Sequence, residues 1–427
     1  MKRNFSIIFL LISFIFANDD FNEALSLFED GNYSQAQIII ESAISIEPEN
    51  AQNYFLASKI AFKLDNLDEA WTNLLKAIDL DLNNDEYRDE STRLTNIKNA
   101  LTDAKKSYDN GYYEESISAY ERINSQYPDF AMPYYLKGMV YYVQKEYDLA
   151  AESIKEAIKY NPFEEKYSAA INNVVAIIYN EGNDYFSRND YDGAIKMYEK
   201  ALSIDPNFSI AHFRLAYLHY KIGDYETCIS HLESNIKIDP KAYKAYKLMG
   251  DTYSKMGDTE NAIKNYMNSI EANRNYDKAY FALGLLYQNN GENDKAITTL
   301  TSCVEVNPKY GKAHETLGSV YQSIDKFDEA ISCYNSALDS GEKTKSVYYR
   351  LASAYNLQKN YSEAKSAAKQ SLELDQNYPA AHFELGLAEK CLGNKAAARA
   401  ALEEAAKSKS WRKPAEFELK YIDQDCE

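Results

Sequence analysis

The sequence predicts an all-α fold, an α-α superhelix of about eleven helical hairpins. Two observations lead to this prediction. The chain has only 15 glycines and 9 prolines in 427 residues, and 45% of its residues are apolar, a composition typical of a helical chain with a core. Its few prolines and glycines also recur at a fixed interval, which indicates internal repeats.

The first element is a short N-terminal segment, residues 1–17, with the pattern of a secretory signal. A basic start is followed by an apolar run from Phe5 to Phe16, broken only by two serines, and Ala17 then precedes a polar stretch. The run is too short to span a bilayer comfortably. We expect cleavage after Ala17, with no membrane segment left, and export to the periplasm or cell envelope, or secretion. An uncleaved anchor is the alternative.

The remainder of the chain repeats every 34 residues. Pro206 and Pro240 differ by this interval, and so do Gly250, Gly284 and Gly318. Phasing the chain on these positions predicts two repeats in residues 18–84, two in 97–164 and seven in 175–412. Residues 85–96 and 165–174 are insertions, and residues 413–427 form a C-terminal capping helix. Each insertion is expected to lengthen the helix that follows it, with a loop as the alternative.

Each repeat has the pattern of two packed helices. Position 20 is small, as in Ala262 and Ala296, and position 24 is mostly large, as in Tyr266 and Leu300. This spacing places both on one helical face, so the helices can approach closely. Position 15 is often glycine, which favours a turn, and proline at position 32 ends the second helix.

This pattern resembles the tetratricopeptide repeat (TPR). The stretches Ala211–Pro240 and Lys278–Pro308 match its sequence of an aromatic residue, Leu-Gly, Tyr, Gly, Ala, a large residue, Ala and Pro. The resemblance covers residues 18–412. It implies a concave groove, lined by the first helix of each hairpin, that grips a segment of a partner protein.

Catalytic and cofactor motifs are missing from the sequence. There is no HExxH, nucleophile elbow or glycine-rich phosphate loop, so we expect no enzyme activity, no cofactor and no metal. A formal charge of −18 disfavours nucleic acid as a partner. His212 and His219 occupy packing positions, while His231 stands alone in a second helix. The five cysteines leave a disulfide open, and Cys426 is expected to be an exposed thiol.

The partner groove is predicted from positions 2, 5, 9 and 12 of the first helices. Apolar and aromatic residues cluster there, and exposed patches of this kind often bind proteins. They are Met132, Tyr135, Met139, Tyr142, Tyr179, Asn183, Phe186, Phe213, Tyr217 and Tyr220. A basic edge of Lys244, Lys247, Lys278 and Lys312 follows. Packing between hairpins is the alternative explanation for the aromatic residues.

Together these features predict an exported, non-enzymatic scaffold that binds other proteins and helps to assemble an envelope complex. Its oligomeric state is open, with a monomer favoured. Two alternatives remain: a self-assembling structural protein of the envelope, and a non-catalytic subunit of an enzyme complex.

Overall fold

Helices account for most of the part of the chain that the computed structural model describes, residues 19–424 and residue 426. The predicted signal, residues 1–17, lies outside this part. The all-α fold is confirmed, and the helices form a TPR-like solenoid. By contacts the chain divides into an N-terminal part ending at Pro206 and a C-terminal part beginning at Asn207.

The N-terminal part contains ten helices within the described residues. They are α1 (19–29), α2 (Tyr33–Ile46), α3 (Ala51–Lys63), α4 (Leu67–Leu80), α5 (Asp85–Asp109), α6 (Tyr113–Gln126), α7 (Ala131–Val143), α8 (Tyr147–Tyr160), α9 (Glu165–Ser187) and α10 (Tyr191–Ile204). Both segments assigned as insertions begin long helices, α5 of 25 residues and α9 of 23 residues.

The C-terminal part continues with helices of nearly constant length. They are α11 (Ser209–Ile222), α12 (Tyr225–Ile238), α13 (Tyr243–Met256), α14 (Thr259–Ala272), α15 (Asp277–Asn289), α16 (Asn293–Val306), α17 (Gly311–Ser323), α18 (Phe327–Asp339), α19 (Lys345–Leu357), α20 (Tyr361–Leu374), α21 (Pro379–Cys391), α22 (Lys395–Ala406) and α23 (Arg412–Lys420). The last helix ends at Lys420, and residues 421–423 form a turn.

The hairpin turns share one backbone conformation. Position 15 has a positive φ in every repeat, whether it is glycine, as at Gly223 (85°), or another residue, as at Asp65 (61°) and Lys145 (64°). Glycine adopts this left-handed conformation at little cost. The non-glycine residues show that the tertiary packing of the hairpin also enforces it.

Close packing within each hairpin depends on small residues. Position 20 is alanine in most repeats, and these alanines are fully buried. Position 8 is often glycine in the first helix, directly under the large residue at position 24. A Cβ at Gly284 would lie 2.6 Å from Leu300 Cγ, and one at Gly250 would lie 2.6 Å from Tyr266 Cδ1. The repeat pattern therefore reflects the contact between the two helices of each hairpin as well as the period of a helix.

Candidate partner-binding site

An apolar cleft of about 470 Å³ opens in the N-terminal part between α4, α5, α6 and α7. We call it the N-terminal cleft. Its apolar lining includes Leu67, Leu101, Tyr120, Met132, Leu136 and Met139. Charged side chains at its edge are Asp68, Lys98 and Lys105. Apolar lining with a few polar groups is the usual make-up of a binding pocket.

The helix α7 supplies one wall of this cleft through the face predicted from sequence. Met132 and Met139 lie seven residues apart, two helical turns, so both point to the same side. Methionine side chains are flexible and adapt to varied partners. The opposite wall belongs to α5, whose Lys98, Leu101 and Lys105 were not among the predicted groove residues.

A buried carboxylate, Asp65, stands at the edge of the cleft. Asn161 Nδ2 and the Tyr167 hydroxyl each donate to its Oδ2 at 2.8 Å, and the Met132 backbone N–H donates to Oδ1 at 3.1 Å. Burial nevertheless raises the pKa of Asp65, because the loss of hydration outweighs these hydrogen bonds. Asp65 joins the α3–α4 turn to α7 and to the α8–α9 connection.

The other predicted aromatic residues of α7 and α9 are half-buried rather than fully exposed. Tyr135 packs on Tyr167 with ring centroids 4.8 Å apart, and Tyr142 meets Tyr147 at 6.1 Å. Tyr179 lies 5.4 Å from Tyr198, and Phe186 lies 5.9 Å from Tyr191. Asn183 accepts a 2.8 Å hydrogen bond from the Tyr198 hydroxyl. These contacts within the chain hold one side of each residue, so their role in binding stays a prediction.

In the C-terminal part, Phe213, Tyr217 and Tyr220 are also half-buried, against the core formed by Cys228, Leu232 and Leu248. Lys221 Nζ lies 5.5 Å from the Tyr217 ring centroid, within range of a cation–π contact.

The predicted basic edge is not uniform. Lys244, Lys278 and Lys312 are exposed, whereas Lys247 Nζ is bound by Asp251 at 2.6 Å. Lys247 and Lys278 line a second cleft of about 340 Å³ with Phe281. Because Asp251 neutralises Lys247, this cleft offers less positive charge than the sequence pattern indicates.

The structure brings together three histidines that the sequence analysis treated separately. His212 Nδ1 and His231 Nδ1 are 3.1 Å apart, and the rings of His219 and His231 stack at 5.9 Å. His219 also pairs with Asp224 at 3.0 Å. Burial, followed by the neighbouring imidazoles, lowers the pKa of His231 from 6.5 to about 4. Within residues 19–424 no group of three or more metal-ligating side chains forms a metal site.

Two of the five cysteines form a disulfide that the sequence analysis left open. Cys391 of α21 is bonded to Cys426, with Cα atoms 5.3 Å apart. The expectation that Cys426 is a free exposed thiol is therefore wrong, because the turn after α23 returns the chain to α21. Cys228 and Cys303 are fully buried thiols, and burial raises the pKa of Cys303 to about 12. None of the described helices is both long and apolar enough to cross a bilayer.

The fold and these surfaces define a solenoid protein of helical hairpins. The repeats themselves are tetratricopeptide repeats. Sequence models described as tetratricopeptide or TPR repeat match residues 51–84, 104–165 and 182–223, and residues 258–385 match the C-terminal ARM domain of tetratricopeptide repeat protein 21. Such repeats generally act as non-catalytic protein-interaction modules.

Similar proteins cover parts of the chain. A TPR repeat-containing protein of Methanocaldococcus jannaschii is 28% identical over 206 residues, 46% of this chain and 34% of that protein. The DnaJ homolog subfamily C member 7 homolog of Dictyostelium discoideum is 23% identical over 40% of this chain and 39% of its own length. The chain thus spans well under half of either relative.

Solved structures give partial superpositions. MamA is 30% identical, with a TM-score of 0.36, over 38% of this chain and 95% of MamA. The C-terminal part of a TPR repeat-containing protein from Cytophaga hutchinsonii is 19% identical, with a TM-score of 0.48, over 56% of this chain and 99% of that structure.

Proposed function

We propose that this protein is an exported, non-catalytic scaffold that binds a segment of a partner protein in the N-terminal cleft and supports assembly of an envelope complex. The observation that carries the proposal is the cleft itself. Two of its lining residues, Met132 and Met139, belong to the face that the repeat pattern independently marked for binding.

The cleft favours an amphipathic partner segment. Its lining is mainly apolar, so apolar side chains account for most of the contact. At its edge Lys98 is paired with Asp68 at 3.2 Å and Lys105 with Asp109 at 2.7 Å, so these charges contribute to the orientation of a partner more than to its affinity. We therefore expect the partner segment to be short, either helical or extended, and to carry two or three apolar anchor residues.

Export is supported by two independent features. The N-terminal segment has the order of a secretory signal, and the Cys391–Cys426 disulfide is typical of an oxidising compartment. The test is fractionation of cells expressing the full chain, with N-terminal sequencing of the product. We expect an envelope or secreted protein beginning at Asn18. A cytosolic product that retains Met1 would contradict export.

Partner binding is tested by site-specific photo-crosslinking in cells. A photoreactive amino acid replaces Met139 in the cleft, and a matched chain carries it at Leu149, an exposed apolar residue of α8. We expect a discrete crosslinked partner from position 139 alone, which mass spectrometry then identifies. Equal products from both positions would contradict the assignment of the cleft. A crosslink to a second copy of this chain would instead support the self-assembly alternative.

A further inference from the structure

Four aromatic side chains meet in the C-terminal part: Tyr349, Tyr378, Phe383 and Trp411, here called the C-terminal aromatic cluster. The Tyr349 ring is nearly perpendicular to Tyr378 (5.8 Å, 90°) and to Trp411 (6.2 Å, 83°). Phe383 packs on Trp411 at 4.9 Å. All four remain partly exposed, and aromatic faces set at steep angles to one another can hold a cation. Lys345 Nζ already lies 4.9 Å from the Tyr378 ring centroid, so the rings left for a further cation are those of Tyr349, Phe383 and Trp411.

A buried carboxylate adjoins this cluster. Glu384 follows Phe383 in α21 and is only 5% exposed. Asn356 Nδ2 donates to its Oε2 at 2.8 Å, and Ser353 provides the other hydrogen bond. Burial raises the pKa of Glu384. Burial is also the largest cause of the raised pKa of Tyr349, and the negative charge of Glu384 is the second. Tyr349, Ser353 and Asn356 follow one another at spacings of four and three residues, so they share one face of α19. The carboxylate bonded to Asn356 therefore lies on the face of α19 that carries Tyr349.

No basic side chain of the described residues neutralises Glu384, since both of its hydrogen-bond donors are neutral groups. Asn356 Oδ1 is also buried and lacks a hydrogen-bond partner. Two electron-rich groups, a carboxylate and an amide oxygen, therefore lie together without a positively charged donor. Buried charges and buried acceptors are normally paired.

One repeat earlier in the stack, a guanidinium occupies the position that corresponds to Glu384, and a carboxylate of the chain pairs with it. Glu315 of α17 binds Arg350 of α19 at 3.2 Å, and Arg350 Nη1 donates to Ser319 Oγ at 3.1 Å. One repeat later, Tyr349 and Glu384 stand at the positions of Glu315 and Arg350. A carboxylate thus replaces the guanidinium one repeat later, and neither of the two positions supplies a positive charge there.

We propose that the C-terminal aromatic cluster and Glu384 bind the guanidinium group of an arginine side chain presented by a partner polypeptide. A guanidinium stacks on aromatic faces and is more weakly hydrated than an ammonium, so it loses less hydration free energy than a lysine side chain on leaving water. The charge of a buried carboxylate is poorly screened and attracts a cation held against the neighbouring rings. This site is argued separately from the N-terminal cleft, so either assignment can fail alone.

Trp411 provides the readout. The chain has two tryptophans, so Trp71→Phe leaves Trp411 as the sole tryptophan. The full chain is titrated at low salt with an end-blocked Gly-Arg-Gly peptide, its lysine analogue and its neutral citrulline analogue. We expect a saturable change in Trp411 emission with arginine, weaker binding of lysine, and none of citrulline.

Two variants distinguish binding at this site from general attraction of a cation to an acidic protein. Glu384→Gln is expected to weaken binding by about tenfold, the order of one cation contact. Glu373→Gln removes an exposed charge of α20 and is expected to leave binding unchanged. Equal effects of the two variants would overturn the proposal. Equal binding of arginine and of the citrulline or lysine analogue to the chain that retains Glu384 would do so as well, and this comparison does not depend on the folding of Glu384→Gln.

Discussion

The Tyr167 hydroxyl donates a 2.8 Å hydrogen bond to Asp65 Oδ2, joining residues 102 positions apart in the chain. Tyr167 is fully buried and Asp65 nearly so. Contacts in a helical-hairpin array are mostly between neighbouring repeats, whereas this one links the α3–α4 turn to the start of α9. It fixes the edge of the N-terminal cleft, because the same carboxylate also accepts from the Met132 backbone N–H.

Tyr167→Phe should therefore destabilise the N-terminal part by about 1–3 kcal/mol, the usual effect of removing one partner from a buried hydrogen bond. Urea unfolding monitored at Trp71, in a Trp411→Phe background, measures this change. The matched control is Tyr112→Phe, since Tyr112 is 59% exposed. Equal unfolding midpoints for the two variants would show that the Asp65 contact contributes nothing.

The histidine cluster should make the C-terminal part sensitive to mild acid. The pKa of His231 is about 4 in the folded chain against 6.5 for the free side chain. Between these values the unfolded chain binds the proton more readily, so stability is full above pH 6.5 and falls as the pH drops towards 4. The free energy of unfolding should fall by on the order of 3 kcal/mol at most.

His231→Gln should abolish this part of the acid sensitivity, measured as unfolding free energy against pH at Trp411 in a Trp71→Phe background. His314→Gln is the control, since His314 lies outside the cluster and contacts the Pro308 carbonyl oxygen. An identical pH profile for wild type and His231→Gln would contradict the pKa assigned to His231.

Gly284→Ala should destabilise the α15–α16 hairpin, although alanine is the better helix former by about 1 kcal/mol. The added Cβ would lie 2.6 Å from Leu300 Cγ, and Leu300 is fully buried. Overpacking of this kind costs about 1–3 kcal/mol, so the clash should prevail. A double-mutant cycle with Leu300→Ala checks the cause. If the two changes are additive, the contact with Leu300 is not responsible.

Loss of the Cys391–Cys426 disulfide should release the C-terminal end. The bond closes a loop with a sequence separation of 35, for which chain entropy gives about 3–4 kcal/mol. In Cys391→Ser/Cys426→Ser, proteolysis should begin after α22 at lower protease concentration. Cys333→Ser, which removes an unbonded thiol, should behave as wild type. Unchanged proteolysis of the double variant would show that α23 is held by its packing alone.

The repeat pattern predicts the fold well because each hairpin is defined by local contacts. Glycine at position 8, alanine at position 20 and a large residue at position 24 meet within one repeat, so their spacing predicts their packing. Asp65 and Tyr167 meet across several repeats, and no local spacing reports such a contact. The α5 wall of the N-terminal cleft could also have been predicted, because Lys98, Leu101 and Lys105 occupy positions 2, 5 and 9 of the repeat that begins at residue 97. The groove prediction started only with the repeat that follows.

The C-terminal aromatic cluster could have been found from the sequence. Tyr349 and Phe383 occupy position 5 of their repeats, the stripe used to predict the groove, but the prediction stopped at the repeat containing Lys312. Trp411 lies at the end of the last repeat, after α22, and its contact with Phe383 depends on the turn that follows that helix. The stripe therefore identifies two members of the cluster, while the other two, Tyr378 and Trp411, require the tertiary structure.

The most direct test of the central claim is recovery of the partner of the N-terminal cleft by a photo-crosslinker at Thr102, on its α5 edge. Met139→Glu places a charge among the apolar lining, and Leu149→Glu places the same charge on the exposed side of α8. We expect Met139→Glu to reduce the crosslinked partner by about tenfold or more, equivalent to about 1.4 kcal/mol, and Leu149→Glu to leave it unchanged. Equal recovery from both folded variants would contradict binding in this cleft.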